Sequence, residues 1–188
     1  MSEEILVRQG APTLAGIKTG SLFPCSYGSE ADFLSQIRDL NHRLQKKGLR
    51  LLVLRQSQGK GELRALLYLY RPKDLSRDLR DQETSEILTR CGYGGDLDPS
   101  RCLMRLTQRI RTRQEFPHEV GLFLSYPPED VRGFMDNGSR HYKCAGMWKV
   151  YGDEEKAKTL FRKYRKCTDI YWKLWQAGAT LEQLAVTV

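Results

Sequence analysis

Cys144 lies in an electropositive neighbourhood, with His141 three residues before it and Lys143 and Lys149 close by in sequence. A thiolate needs a nearby base or cation to form at neutral pH, so Cys144 with His141 or His118 is the candidate nucleophile and base. The same stretch offers the best local metal-ligand spacing, His141-Tyr142-Lys143-Cys144, but that supplies two ligands of the usual four, and no two of the five cysteines form a CxxC pair. A lone cysteine near a strand is ordinarily a small packed side chain, and no metal is expected. His118-Glu119 could serve as an acid/base pair, except that neighbouring strand residues point to opposite faces.

A second constellation is a stripe of guanidinium groups. Arg101, Arg105 and Arg109 fall about one helical turn apart after Pro99, with Arg113 beside them. The stripe either grips phosphates or an acidic partner bidentately, or is the solvated face of an amphipathic helix, and the second reading is preferred. Basic and aromatic residues alternate through Phe161-Arg162-Lys163-Tyr164-Arg165-Lys166, as in a single-strand nucleic-acid binder. Phe161, Tyr164 and Tyr171, however, recur on one apolar helical face, which predicts core packing. Trp172 and Trp175 either cap that core or meet a partner. Gly59-Lys60-Gly61 lacks the upstream glycine, the following Ser/Thr and the strand-to-helix setting of a phosphate loop, and reads as a hairpin turn.

The elements that must position these groups follow from periodicity. Thr13 to Phe23 reads as a short or bulged first strand, and Ser29 caps a helix running to Lys46-Lys47-Gly48 on Phe33, Leu34, Ile37, Leu40 and Leu44. Leu49 to Arg55 and Glu62 to Arg71 form an antiparallel hairpin. A charged surface helix spans Pro72 to about Arg90, and Asp98-Pro99 opens another to about Thr112. Val120 to Tyr126, apolar on both faces, is expected as a central strand, followed by a short helix from Pro127 to about Met135. Gly146 to Tyr151 gives the last strand, Asp153 caps a long helix, and Leu181 to Ala185 adds a terminal turn. The order β, α, β, β, α, α, β, α, β, α predicts an α/β fold: one three-layer domain over residues 1–188, with a mixed sheet of about five strands and helices on both faces. Ligand sites in such sheets lie at the carboxyl ends of strands, which points to Tyr126 and Tyr151, with Arg132, Lys143, Trp148 and Lys149 close by in sequence.

Composition sets the outer limits. With 40% apolar and 29% charged residues in 188, the chain is an ordinary globular one. Its net charge of +8 is spread evenly: 15 basic against 11 acidic residues up to position 94, and 16 against 12 beyond. Without a basic tail, this balance favours solubility and weak attraction to polyanions or acidic partners and decides nothing about specific nucleic-acid binding, which is not expected on the other features of the chain. There is no basic-then-apolar leader and no apolar run near the ~20 residues of a membrane span, so a cytosolic protein with reduced thiols and no membrane partner is expected.

Several blocks carry a resemblance. Ala11-Pro12-Thr13-Leu14-Ala15-Gly16, Phe116-Pro117-His118-Glu119-Val120-Gly121-Leu122-Phe123-Leu124 with Tyr126-Pro127-Pro128-Glu129-Asp130-Val131, and Trp148-Lys149-Val150-Tyr151-Gly152-Asp153 resemble the bacterial family catalogued as domain of unknown function 3793. The resemblance spans nearly the whole chain and implies no established activity, cofactor or catalytic residue. It suggests at most a redox or metal-related setting, since such proteins occur near flavodoxin-type genes. Relatives often have another cysteine close to the Cys144 position, where this chain has Met147, which weakens a metal or dithiol reading.

Three functions stay open. The preferred one is a non-catalytic binding module, without a cofactor, that engages a small anion or an acidic protein around Tyr126 and Tyr151. The others are an enzyme relying on Cys144 and RNA binding through the arginine stripe.

Overall fold

A computed structural model describes residues 2–59, 61–95, 97–112 and 115–187. Two compact units divide the chain, the first made of Met1–Lys73 and Lys166–Val188 and the second of Asp74–Arg165. Helices and strands are mixed in the chain, as expected.

The first unit opens with helix α1 (Glu4–Leu14), which buries Leu6, Val7, Ala11 and Leu14 and carries Pro12 in its last turn. Strand β1 (Gly20–Tyr27) follows. Helix α2 (Glu30–Gln45) is built as its sequence predicts: the Ser29 hydroxyl accepts from Asp32 N, and Phe33, Ile37, Leu40 and Leu44 form the buried stripe. Gly48, at φ 72°, lets the chain turn back so that Leu49 N reaches Leu44 O. Strands β2 (Arg50–Gln58) and β3 (Leu63–Tyr70) make the expected hairpin, and β1 pairs with β3 on its other side, giving the order β1-β3-β2 with both pairings antiparallel. A bulge between Val53 and Arg55 shifts the β2–β3 register by one residue. The hairpin-turn reading of Gly59-Lys60-Gly61 involves Lys60, which lies outside the described residues.

A single apolar cluster fills this unit, drawing Leu6, Phe23, Phe33, Leu67 and Leu181 together. Among the described residues of this unit two cationic ones are buried, Lys18 and Arg71. Arg71 donates from Nε to Thr13 O at 2.7 Å and from Nη2 to Leu14 O at 2.7 Å and Val186 O at 2.8 Å. It thereby satisfies carbonyls at the C-terminal end of α1, where the helix dipole favours a positive charge.

In the second unit the expected helix from Pro72 is two helices, α3 (Pro72–Leu79) and α4 (Gln82–Arg90), because Asp81 accepts from Thr84 N and starts a new one. Helix α5 (Pro99–Thr112) begins where Asp98 accepts from Arg101 N at 3.0 Å. The expected central strand at Val120 to Tyr126 is absent. Val120–Phe123 forms instead a single helical turn, α6, and Ser125 takes φ 57°. The apolar run is buried, as its composition requires, but a four-to-eight-residue apolar run has no periodicity that separates strand from helix.

Helix α7 (Pro128–Asn137) forms as predicted, and the last strand shrinks to a minimal antiparallel hairpin of β4 (Cys144–Ala145) and β5 (Lys149–Val150). The described strands therefore form a three-stranded antiparallel sheet and a separate two-stranded one, where a mixed sheet of about five strands with parallel neighbours was expected. The expected first strand from Thr13 starts only at Gly20, because Thr13 and Leu14 end α1.

Helix α8 (Glu154–Gln176) starts with Asp153 accepting from Lys156 N. Helix α9 (Leu181–Leu184) is closed by a reciprocal capping box between Thr180 and Gln183. Phe161 and Tyr164 are buried and Tyr171 packs against the first unit's core, which is the expected packing role, and of the two alternatives left open for Trp175 it takes the contact with that core. Trp172 lies under the Arg8 guanidinium at 3.8 Å from the ring centre. No described helix is long and apolar enough to cross a membrane.

Candidate functional site

Asp130, in the first turn of α7, is the carboxylate around which a pocket is organised. It is buried, and it lies in line with Val131 and Phe134 at helical spacing, so α7 carries a charged group on its apolar face. Three donors satisfy it: Trp148 Nε1 at 2.7 Å on Oδ2, and Tyr151 N at 2.7 Å and Gly152 N at 2.8 Å on Oδ1. One side chain thus holds both the β4–β5 hairpin and the indole that precedes β5. The indole stacks on Tyr126 with ring centres 4.5 Å apart at 27°, and meets Phe161 edge-on at 4.4 Å. Glycine is required at position 121, because a Cβ there would stand 2.8 Å from Val131 Cγ2 and 3.0 Å from Tyr126 Cδ2. At Gly133 a Cβ would come within 2.3 Å of the Tyr151 ring.

Beside this assembly is a cavity of about 350 Å³. Its walls are Tyr126, Trp148, Val131 and Phe134, with Phe116 and Met147 exposed on its lining. His118 lies edge-on to Phe134 at 4.8 Å and 84°. Lys149 supplies the cation: its Nζ bonds the Ser139 hydroxyl and sits 5.6 Å from the Phe134 ring centre and 5.4 Å from that of Tyr142. Burial raises the Tyr126 hydroxyl above the usual phenol pKa, so it stays neutral at pH 7. The arrangement can enclose a flat apolar group and set one positive charge against it. Both Asp130 oxygens are already taken, so the pocket does not pair a free carboxylate with a base for proton transfer.

Of the residues singled out in the sequence, the structure brings Tyr126, Trp148, Lys149 and His118 to this cavity, with Tyr151 tied to Asp130 next to it. They meet around α7, not at the carboxyl ends of parallel strands. Lys143 lies nearby on the hairpin, where its ammonium donates to Gly152 O at 2.6 Å, and it does not line the cavity. Arg132 pairs with Glu83 at 3.2 Å on an open surface. Cys144 lies half-buried in β4, and its thiol meets the Glu154 carboxylate. Partial burial raises its pKa, and the negative charges of Glu154 and Asp130 add to the rise against the opposing Lys158. The thiol is therefore held protonated, the opposite of what a nucleophile needs. His141 is exposed in a turn at φ 60°.

The arginine stripe is broken. Arg101 and Arg105 are exposed, but Arg109 is buried: its Nε lies 2.5 Å from Glu119 Oε1 and its Nη1 donates to Cys91 O at 3.0 Å. Tyr93 adds its hydroxyl to the same Glu119 oxygen at 3.1 Å, and burial with the adjacent carboxylate drives its pKa far up. Arg113 lies outside the described residues. His118 and Glu119 do diverge, one lining the cavity and the other entering this buried cluster, though they precede a helical turn instead of starting a strand.

Sequence reasoning missed Asp130, Phe116, Val131, Phe134 and Met147. The available signal was a carboxylate at Asp130 in register with Val131 and Phe134, an acid on an apolar stripe that needs several donors to be buried. Among the described residues, no three His, Cys, Asp or Glu side chains converge as metal ligands.

An α and β chain whose second unit holds an aromatic pocket with one fixed cation is the class of protein defined so far. The chain belongs to the family described as "Protein of unknown function (DUF3793)", whose model matches residues 6–185. No curated protein and no solved structure matches it.

Proposed function

We propose that this protein is a non-catalytic binding module that holds a small anionic ligand in the Tyr126–Trp148 pocket, with Lys149 as the counter-charge. The observation that carries the reading is the Lys149 ammonium, fixed by Ser139 and by two rings in the wall of a largely apolar cavity whose lining carboxylate, Asp130, is already bonded to three donors. A charge already held in place costs less to order around an incoming anion than a lysine free in open water. Small-ligand sites combine an apolar lining with a few fixed polar groups in this way, and about 350 Å³ lies at the small end of their range of roughly 300–1,000 Å³. The protonated state of Cys144 supports binding over cysteine chemistry. The five cysteines stand as thiols, which supports a reducing compartment, the cytoplasm.

Native mass spectrometry of the protein purified from its own host, beside the Lys149→Gln variant, tests this. The expected result is a reproducible added mass on the wild-type chain that the variant loses. An added mass that the variant retains in full would overturn the role of Lys149. In parallel, alkylation at neutral pH should label Cys144 no faster than Cys91 or Cys167, and a Cys144 that outpaced them many-fold would favour the cysteine-dependent enzyme.

A further inference from the structure

We infer that the ligand is a flat aromatic or heteroaromatic ring bearing a single carboxylate; this rests on the pocket being a ligand site and names the class it takes. The walls set the shape. Tyr126 and Trp148 present stacked rings, Phe134 and His118 an edge-to-face pair, and such surfaces favour another planar ring, offset-stacked or edge-on. The volume of about 350 Å³ suits one or two fused rings and is too small for a dinucleotide-sized body.

The charge sets the substituent. A cluster of rings alone would suit a quaternary ammonium, but Lys149 in the same wall repels cations, and Asp130, the other charged group lining the cavity, has both oxygens committed to the hairpin and the indole. A phosphate is best held by an arginine fork or a run of converging backbone N–H groups, with a lysine supplying only a point charge. Among the described residues that line the cavity, no arginine is present, and Lys149 and His118 are the side-chain donors left to meet an anion. One ammonium with one imidazole matches a carboxylate.

The full chain would be titrated with indole, indole-3-carboxylate, 2-naphthoate, tryptamine and inorganic phosphate. Affinity is read by calorimetry, and location by the indole N–H resonance of Trp148 against those of Trp172 and Trp175. Indole-3-carboxylate and 2-naphthoate should bind at least tenfold tighter than indole, tryptamine weaker than indole, and the shift should be confined to Trp148. Lys149→Gln should bring indole-3-carboxylate down to the level of indole; the comparison of the two on the wild-type chain needs no variant and stands if that variant folds poorly. Equal affinity for indole and its acid at Trp148 would overturn the carboxylate and leave the pocket standing. Phosphate binding tighter than either aromatic acid, still dependent on Lys149, would overturn the ring class and keep the anion site. A Trp148 resonance unmoved by every probe would overturn both the inference and the reading beneath it.

Discussion

Each unit buries an arginine, and the two arginines do different work. Arg71 in the first unit turns its donors onto backbone carbonyls, so its charge is absorbed by helix ends and the returning C-terminal segment, inside a continuous apolar core. Arg109 in the second unit meets a carboxylate, Glu119, whose neighbour His118 faces the aromatic cavity. The first unit spends its buried polar groups on closing the fold. In the second, Asp130 and Glu119 are buried so that the residues beside them, Trp148 and His118, are held at a cavity.

That contrast can be broken first at Glu119. Glu119→Leu leaves the Arg109 charge buried without its partner and the Tyr93 hydroxyl without its acceptor, so a loss of roughly 3–5 kcal/mol is expected in chemical denaturation. A loss under about 1 kcal/mol would show that Arg109 reaches water. Arg71→Met should cost about 3 kcal/mol, since it strips donors from the buried carbonyls of Thr13, Leu14 and Val186. If it cost more than Glu119→Leu, the first unit's buried arginine would matter more to stability than the second unit's. Asp130→Ala should cost about 2–3 kcal/mol by leaving Trp148 Nε1 and two hairpin N–H groups unpaired. Unlike Arg71→Met, it should also flatten the near-ultraviolet circular dichroism of the stacked Tyr126–Trp148 pair and weaken ligand binding. A variant that lost stability but kept both signals would show that Asp130 does not set the pocket wall.

The two units also differ in how far their sequences disclose them. Ser29, the stripe from Phe33 to Leu44, and the two runs of the β2–β3 hairpin could be read directly, because α2 and the hairpin satisfy their own backbone locally and need only one buried face. In α1, Gly10 and Pro12 obscured the helical pattern; Pro12 sits near its end, and at Gly10 a Cβ would stand 2.6 Å from Leu69 Cδ2, a packing reason invisible in sequence. The second unit was legible at its caps, Asp98 and Asp153, and illegible at Val120–Tyr126, where burial on all sides removes the periodicity that tells helix from strand. The site was half legible for the same reason. Tyr126, Trp148 and Lys149 were reached through expected strand ends, the first of which is a helical turn, and His118 as a candidate acid or base, whereas Asp130 and Phe134 became visible only once the hairpin was seen folded against α7.

The smallest effect lies in the first unit, where an ion pair is exposed and not buried. Arg43 on α2 pairs with Glu182 on α9 and with Glu3 just before α1, tying three segments at a partly open surface. Hydrogen bonding from Arg43 holds Glu182 down at about 2, against an ordinary 4.5, while partial burial opposes the shift. A carboxylate whose pKa is lower folded than unfolded contributes stability that is complete above about 4.5 and disappears as pH falls toward about 2. Because the Glu182 side chain is 38% exposed, solvent screening cuts the contribution to about 1 kcal/mol or less. Glu182→Gln should therefore lower stability by that amount at pH 7, and the gap between variant and wild type should close between pH 4.5 and 2. Added salt should shrink the gap at pH 7, yet leave the cost of Glu119→Leu nearly unchanged, since a pair at 9% and 3% side-chain exposure is shielded from counter-ions. Equal salt sensitivity at both sites would mean that the Arg109–Glu119 pair is wetted, and the contrast between closing a fold and aiming a cavity would lose its physical basis.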